Sequence, residues 1–224
     1  MAIYYAVYRD AYGEEQTVIK NDGQTLRMIV RGVEFEGSDF DGFTTVTEEI
    51  GSQFALYCGN LCGYVTECNI PVIVAGSKQE KVVALHVHLE LGKPTANGRI
   101  DKEELIMTLE VEGKALKSSG RSGGFFEGEV LDIQRLMPAD TYMKCCFNCA
   151  FSGYSPAGGG MWLMFCHRNH KEEYLNARGK AEWFRLNQEA AEIVQETYIC
   201  SEFDRWNGAT GYRDLLHLRV INDQ

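Results

Sequence analysis

The residues best equipped for chemistry lie in the last third of the chain, in the run Cys145-Cys146-Phe147-Asn148-Cys149, followed by Cys166-His167 and then Cys200. Cys146 and Cys149 have the C-x2-C spacing at which two thiolates converge on one ion across a tight turn. With Cys166 and Cys200 the pattern becomes C-x2-C-x16-C-x33-C, which supplies four ligands for a tetrahedral zinc. Four thiolates leave no position for water, so the expectation is a structural zinc and not a catalytic one. The adjacent Cys145 leaves open which sulfur faces the ion, and His167 or His170 could stand in for a thiol. Plain burial competes with this reading, because free cysteine packs as a small hydrophobe. A redox pair is a third account.

Other constellations carry less. Cys58, Cys62 and Cys68 have the spacing C-x3-C-x5-C, close to an iron–sulfur pattern without matching it. Leu61, Tyr64, Val65 and Ile70 interleave with them, so burial is the expectation. His86, His88 and Glu90 alternate along one strand face, where imidazoles and a carboxylate can reach a common ion; a polar outer face is the plainer account. The glycines Gly158, Gly159 and Gly160 could cradle an anion, but no Lys-Ser/Thr follows and Ser155 lacks a G-x-S-x-G setting. Glu48, Glu49, Glu104, Glu110, Glu112, Glu127 and Glu129 make an acidic face suited to a basic partner, or simply to water.

These groups must be positioned by strands first and helices later. Ile3, Tyr5 and Val7 alternate with Tyr4, Ala6 and Tyr8, and Leu26, Met28 and Val30 lead into a hairpin around Gly32. Over residues 82–91, Val83, Leu85, Val87, Leu89 and Leu91 share one face; Leu105, Met107, Leu109 and Val111 do the same one strand later. A period of two with one wet face predicts an antiparallel sheet. Residues 117–124 read as a mobile Ser/Gly/basic loop, and residues 125–137 fit helix and strand equally. After Pro138, residues 171–177 predict a short helix. A longer amphipathic helix follows over 180–198, with Trp183, Leu186, Ala190, Ile193 and Thr197 as its stripe. The expected fold is therefore α+β: a mainly antiparallel sheet in the first half and a cysteine-rich helical segment in the last third. The division falls at 1–139 and 140–224, the two parts sharing one core.

Composition bounds the rest. The chain has 224 residues and eight cysteines, with 22 Lys+Arg against 32 Asp+Glu, a net charge of -10. That balance argues against broad nucleic-acid binding and for a basic partner or plain solubility. The N-terminus has no charged leader followed by an apolar core, and the apolar stretches are too short for a membrane span. A cytoplasmic protein is expected, with thiols or metal ligands in place of disulfides.

The run from Cys145 through Pro156 to Gly158, together with Cys166, Arg168, Lys171-Glu172, Tyr174, Gln195-Glu196-Thr197-Tyr198, Cys200 and the tail from Gly208 to Arg213, resembles an uncharacterised family of bacterial proteins known as a domain of unknown function. The likeness spans residues 130–214. It implies a bacterial source, a role for the cysteines and a link to polymorphic toxins, and no established activity. The functional expectation is a non-enzymatic binding protein, an immunity protein or inhibitor that meets a basic toxin domain through an acidic surface and carries structural zinc. The alternative is a zinc- or thiol-dependent enzyme centred on Cys149, Cys166 and His167.

Overall fold

A computed structural model of the chain describes residues 1–45, 53–77, 79–122, 125–154, 163–190 and 192–206. Glu48, Glu49, Gly123, Gly124, Ser155, Gly158, Gly159, Gly160, Met161, Trp162, Ala191 and the tail residues 208–213 lie outside the described residues. By contact, the chain divides into two compact units: residues 1–71 with 84–133, and residues 72–83 with 134–224.

The first unit is built on a broad sheet. Strands β1 (Ala2–Asp10), β2 (Gly13–Asn21), β3 (Leu26–Val30) and β4 (Val33–Gly37) form an antiparallel meander. Strands β5 (Thr44–Thr45), β6 (Ala55–Tyr57) and β7 (Asn60–Cys62) extend it beyond β4 in the order β5, β7, β6. On the other side of β1 come β8 (Tyr64–Ala75), β9 (Glu80–Leu91), β10 (Glu103–Val111) and β11 (Lys114–Lys117). Turn chemistry sets these registers. Arg31-Gly32, Cys58-Gly59 and Glu112-Gly113 are two-residue loops with positive φ at both positions, the geometry that matches strand twist in a hairpin.

Alternation then sorts the side chains. Tyr4, Ala6, Tyr8, Ile19, Leu26, Met28, Leu85, Val87, Leu89, Leu105, Met107 and Leu109 are buried on the inward face. Tyr8 and Tyr64 stack at 5.3 Å, and Tyr8 donates to Asp10, which also holds Arg31 in a two-pronged ion pair. Arg31 lies over the rings of Tyr8, Tyr12 and Phe54, so one half-buried guanidinium ties the β1–β2 turn to the β3–β4 turn.

Residues 125–137, readable either way in sequence, contain helix α1 (Phe126–Leu136). The segment before it is not loose: Ser118 is buried and accepts from the Met107 amide, and Ser119 N–H donates to Asp132. Glu129, expected on an acidic surface, is fully buried and accepts from the amides of Gly120 and Ser122. It clamps a loop.

The second unit overturns the expected α+β fold and its cysteine-rich helical last third. Of the described residues 48% are strand and 17% helix, the helices being three short segments, so the described chain is mostly antiparallel β. After β12 (Tyr142–Met143), which pairs the end of β8, come β13 (Ser152–Gly153), β14 (Leu163–Cys166), α2 (Lys171–Asn176), α3 (Lys180–Ala190) and β15 (Glu192–Gln195). The long helix expected over 180–198 stops at Ala190. The β-branched Ile193 and Val194 follow it, and β14 takes Glu192–Gln195 as a strand partner. Helical stripe and strand alternation overlap here, and tertiary pairing decides. Tyr174, Ala177, Trp183 and Leu186 form the core beneath α2 and α3.

One loop of the first unit gives a stability prediction. Asp39 and Asp41 flank Phe40 in a bend where Gly42 has no side chain to collide with Asp39. Burial, then the neighbouring Asp39 and Glu103 carboxyls, push the Asp41 carboxyl up to about 9. The folded protein therefore holds a proton that the unfolded chain releases near the ordinary aspartate value of 3.8. Stability should fall as pH rises from that value toward 9 and level off above it. Asp41→Asn removes the penalty. It should raise stability by about 2 kcal/mol at pH 8, after allowance for partial exposure, and the advantage should vanish near pH 4 in paired denaturation curves.

Candidate functional site

Among the described residues two groups of side chains can do chemistry, one in each unit. In the second unit the cysteine run forms a 3-10 turn, Cys146–Asn148. Side-chain amides hold that turn: the Gln134 carbonyl accepts from the Met143 amide and the Asn148 side chain, while Gln134 donates to the Thr141 carbonyl. The chain beyond β15 completes it, with Cys146 N–H donating to Tyr198 and Phe147 N–H to Glu196. Cys166 ends β14 opposite Ser152.

This arrangement brings together two of the four expected zinc ligands. Cys146 and Cys166, both buried, share a hydrogen bond between their sulfurs. Cys149 is buried nearby, its sulfur accepting from the Phe151 amide, and Cys200 is half-buried against the Arg168 guanidinium. Among the described residues, no three of these sulfurs lie within 4.8 Å of one another. Cys145, the ambiguous neighbour, is buried and directs its thiol to the Met143 carbonyl.

The thiol pair is electrostatically lopsided. Cys146 donates to Cys166, and with the Arg168 amide and charge this draws the Cys166 thiol down to about 6. Cys146 is pushed up, because losing its proton would set two negative sulfurs together. His167 does not act on this pair. Its ring is fully buried, stacks on Tyr174 at 4.3 Å and meets the edge of Trp183, and among the described residues neither ring nitrogen has a well-aligned hydrogen-bond partner. Asn187 is the polar side chain that faces it, and burial lowers its pKa to about 4. Held neutral between the Tyr174 face and the Trp183 edge, His167 packs as an aromatic ring.

The second group lies on the outward face of the first unit's sheet. His88 and Glu90 alternate along β9, and Glu104 on β10 stands directly opposite Glu90. One ligand atom from each of the three lies within 4.8 Å of the others. Glu67 of β8 accepts from His88 Nδ1 at 3.1 Å and is also paired with Arg9; the His88 hydrogen bond first, then Arg9, hold the Glu67 carboxyl below its usual range. Lys102 Nζ sits 2.7 Å from Glu90 and 3.4 Å from Glu104. His86, grouped with His88 in the sequence, turns to Asn69 instead. Beside this group opens a cleft of about 420 Å³ lined by Arg9, Asp10, Tyr64, Glu90, Lys93 and Lys102 among others.

The model of a family of unknown function, DUF6304, matches residues 2–152. The chain belongs to that family. The DUF6304 match takes in the whole first unit, including Glu67, His88, Glu90, Lys102 and Glu104. It also reaches Cys145, Cys146 and Cys149, but ends before Cys166, His167 and Cys200. The matched span thus lies mostly ahead of the motifs at 130–214 that resemble a family of unknown function, overlapping them over 130–152. No curated protein and no solved structure matches the chain. Among the described residues no helix is long and apolar enough to cross a membrane.

Sequence reading missed Glu67, Glu104 and Lys102 as companions of His88 and Glu90. Glu104 was legible only as one of many surface carboxylates; the signal that singles it out is cross-strand register, which spacing along one strand does not carry. Cys58, expected buried, is exposed because it occupies the turn Cys58-Gly59, whereas Cys62 and Cys68 are buried.

The thiol pair can be tested optically. Thiolate absorbance near 240 nm should rise by one cysteine equivalent around pH 6, and Cys166→Ala should remove that step. Cys146→Ala, which takes away the donor, should move it upward in pH. An unchanged step in the Cys146 variant would contradict the assigned hydrogen bond.

Proposed function

We propose that the chain is a non-enzymatic bacterial binding protein, working in the cytoplasm as an immunity protein or inhibitor that engages a basic protein partner such as a toxin domain. The observation that carries this reading is the outward face of β1 to β3. Ile3 and Tyr5 of β1 point out, Tyr5 with 77% of its surface exposed; Val18 of β2 is Tyr5's cross-strand neighbour, and Ile29 of β3 is exposed on the same face. Aliphatic side chains around an exposed tyrosine make the kind of patch that partner proteins cover, and tyrosine is a frequent energetic anchor there. Glu34 and Glu36 of β4 stand across from Ile29 and Arg27 beside the patch. With a net charge of -10, they favour encounter with a positively charged surface.

The test is a partner captured by crosslinking in cells and then reconstituted with the chain from purified components. The expected partner is basic and binds more weakly as salt rises; Tyr5→Ala should weaken it at least about tenfold without changing the melting temperature. Binding indifferent to salt, or to Tyr5→Ala, would remove the proposal.

Structural zinc on Cys146, Cys149, Cys166 and Cys200 belongs to the same reading. The contact between Cys146 and Cys166 supports it, and the site requires Cys149 and Cys200 to close on that pair. About one zinc per chain is expected in protein purified without added metal, lost in Cys166→Ser. Metal-free protein with full thiol content would leave the cysteines as packing groups. A thiol-dependent enzyme centred on Cys149, Cys166 and His167 is the second reading, favoured by the acidic Cys166 thiol. His167 would have to leave its aromatic sandwich to serve it.

A further inference from the structure

The carboxylates of Glu90 and Glu104 are cross-strand partners on the outward face of the first unit, an arrangement that repels unless a cation lies between them. Lys102 supplies that cation, bonded to both. The third member, His88, adds what a lysine salt bridge does not need: an imidazole whose nitrogen lies within 4.8 Å of the same two carboxylates. A carboxylate only accepts, so the contact from Glu67 to Nδ1 fixes the proton there and leaves the lone pair on Nε2. Glu67 is held in turn by Arg9. An imidazole steadied by a carboxylate, next to two more carboxylates, is the donor set of a divalent first-row transition ion; magnesium and calcium favour all-oxygen sites.

We propose that His88, Glu90 and Glu104 bind a divalent transition metal ion, with Glu67 orienting His88 and Lys102 acting as a resident cation that the metal displaces. Three protein ligands leave positions for water or for a ligand in the adjoining cleft, whose wall includes both Glu90 and Lys102. On displacement the ammonium joins Arg9 and Lys93 along that wall, beside Asp10 and Asp101. The site is independent of the cysteines and of the patch at Tyr5.

Mn²⁺ is the probe, because carboxylate and imidazole accept it while thiolates prefer zinc. Electron paramagnetic resonance of free Mn²⁺, titrated with the full chain, reports binding directly. His88→Ala should weaken binding at least about tenfold, and Glu67→Gln should weaken it less. Lys102→Met should tighten it severalfold, an effect that a merely structural salt bridge would not produce. Cys146→Ser should leave it unchanged, which separates this site from any zinc held by the thiols. His88 is half-buried and Lys102 exposed, and both variants are to be checked for an unaltered melting temperature. Mn²⁺ binding that survives His88→Ala, that fails to tighten in Lys102→Met, or that is absent from wild type and Lys102→Met alike would overturn the proposal.

Discussion

The two-residue period of the strand ladder in the first unit is the constraint from which its chemistry follows. Along β8, over residues 85–91 of β9 and over residues 105–111 of β10, every second side chain is committed to the core, where Leu85, Val87, Leu89, Leu105, Met107 and Leu109 lose nearly all contact with water. Burial on that scale is worth roughly 1.5–3 kcal/mol for each large aliphatic side chain. A slip of one residue would send the whole set into solvent, so the register is strongly held. The intervening residues have no choice of face. Glu67, His88, Glu90 and Glu104 meet on the wet side because their neighbours must be dry.

The second unit is organised differently. Its strands β13, β14 and β15 are two to four residues long, too short for alternation to specify much, and turns carry the load. Gln134 and Asn148 replace a ladder with side-chain amides, and backbone bonds from Cys146, Phe147 and Ala150 reach forward to Tyr198, Glu196 and Asp204. Small side chains suit such a crossing. Cys145, Cys146, Cys149 and Ala150 let backbone segments approach where larger residues would hold them apart.

This contrast explains what could be read in advance. Alternation over 82–91 and 104–111 was visible because one face is apolar without interruption, and the hairpin at Gly32 because positive φ selects glycine. The stripe from Trp183 to Thr197 misled because Trp183 and Leu186 do lie on a buried helix face, while Val194 is buried from a strand. Nothing in local spacing marks the change from helix α3 to strand β15. Glu129 looked like a solvated surface charge, yet it is buried because two amides of a neighbouring loop need an acceptor. Partners distant in sequence, such as Glu67 with His88 or Cys146 with Cys166, are products of pairing and leave no mark on one-dimensional spacing.

The described order of the large sheet ends on β11 and β6, of four and three residues. Unpaired backbone at a sheet margin invites a strand from another molecule, and long flat margins seed fibres. Here the two terminal strands are short, and exposed Lys114 and Lys117 stand at either end of β11. Short terminal strands, one of them lysine-flanked, give an incoming strand little to hold.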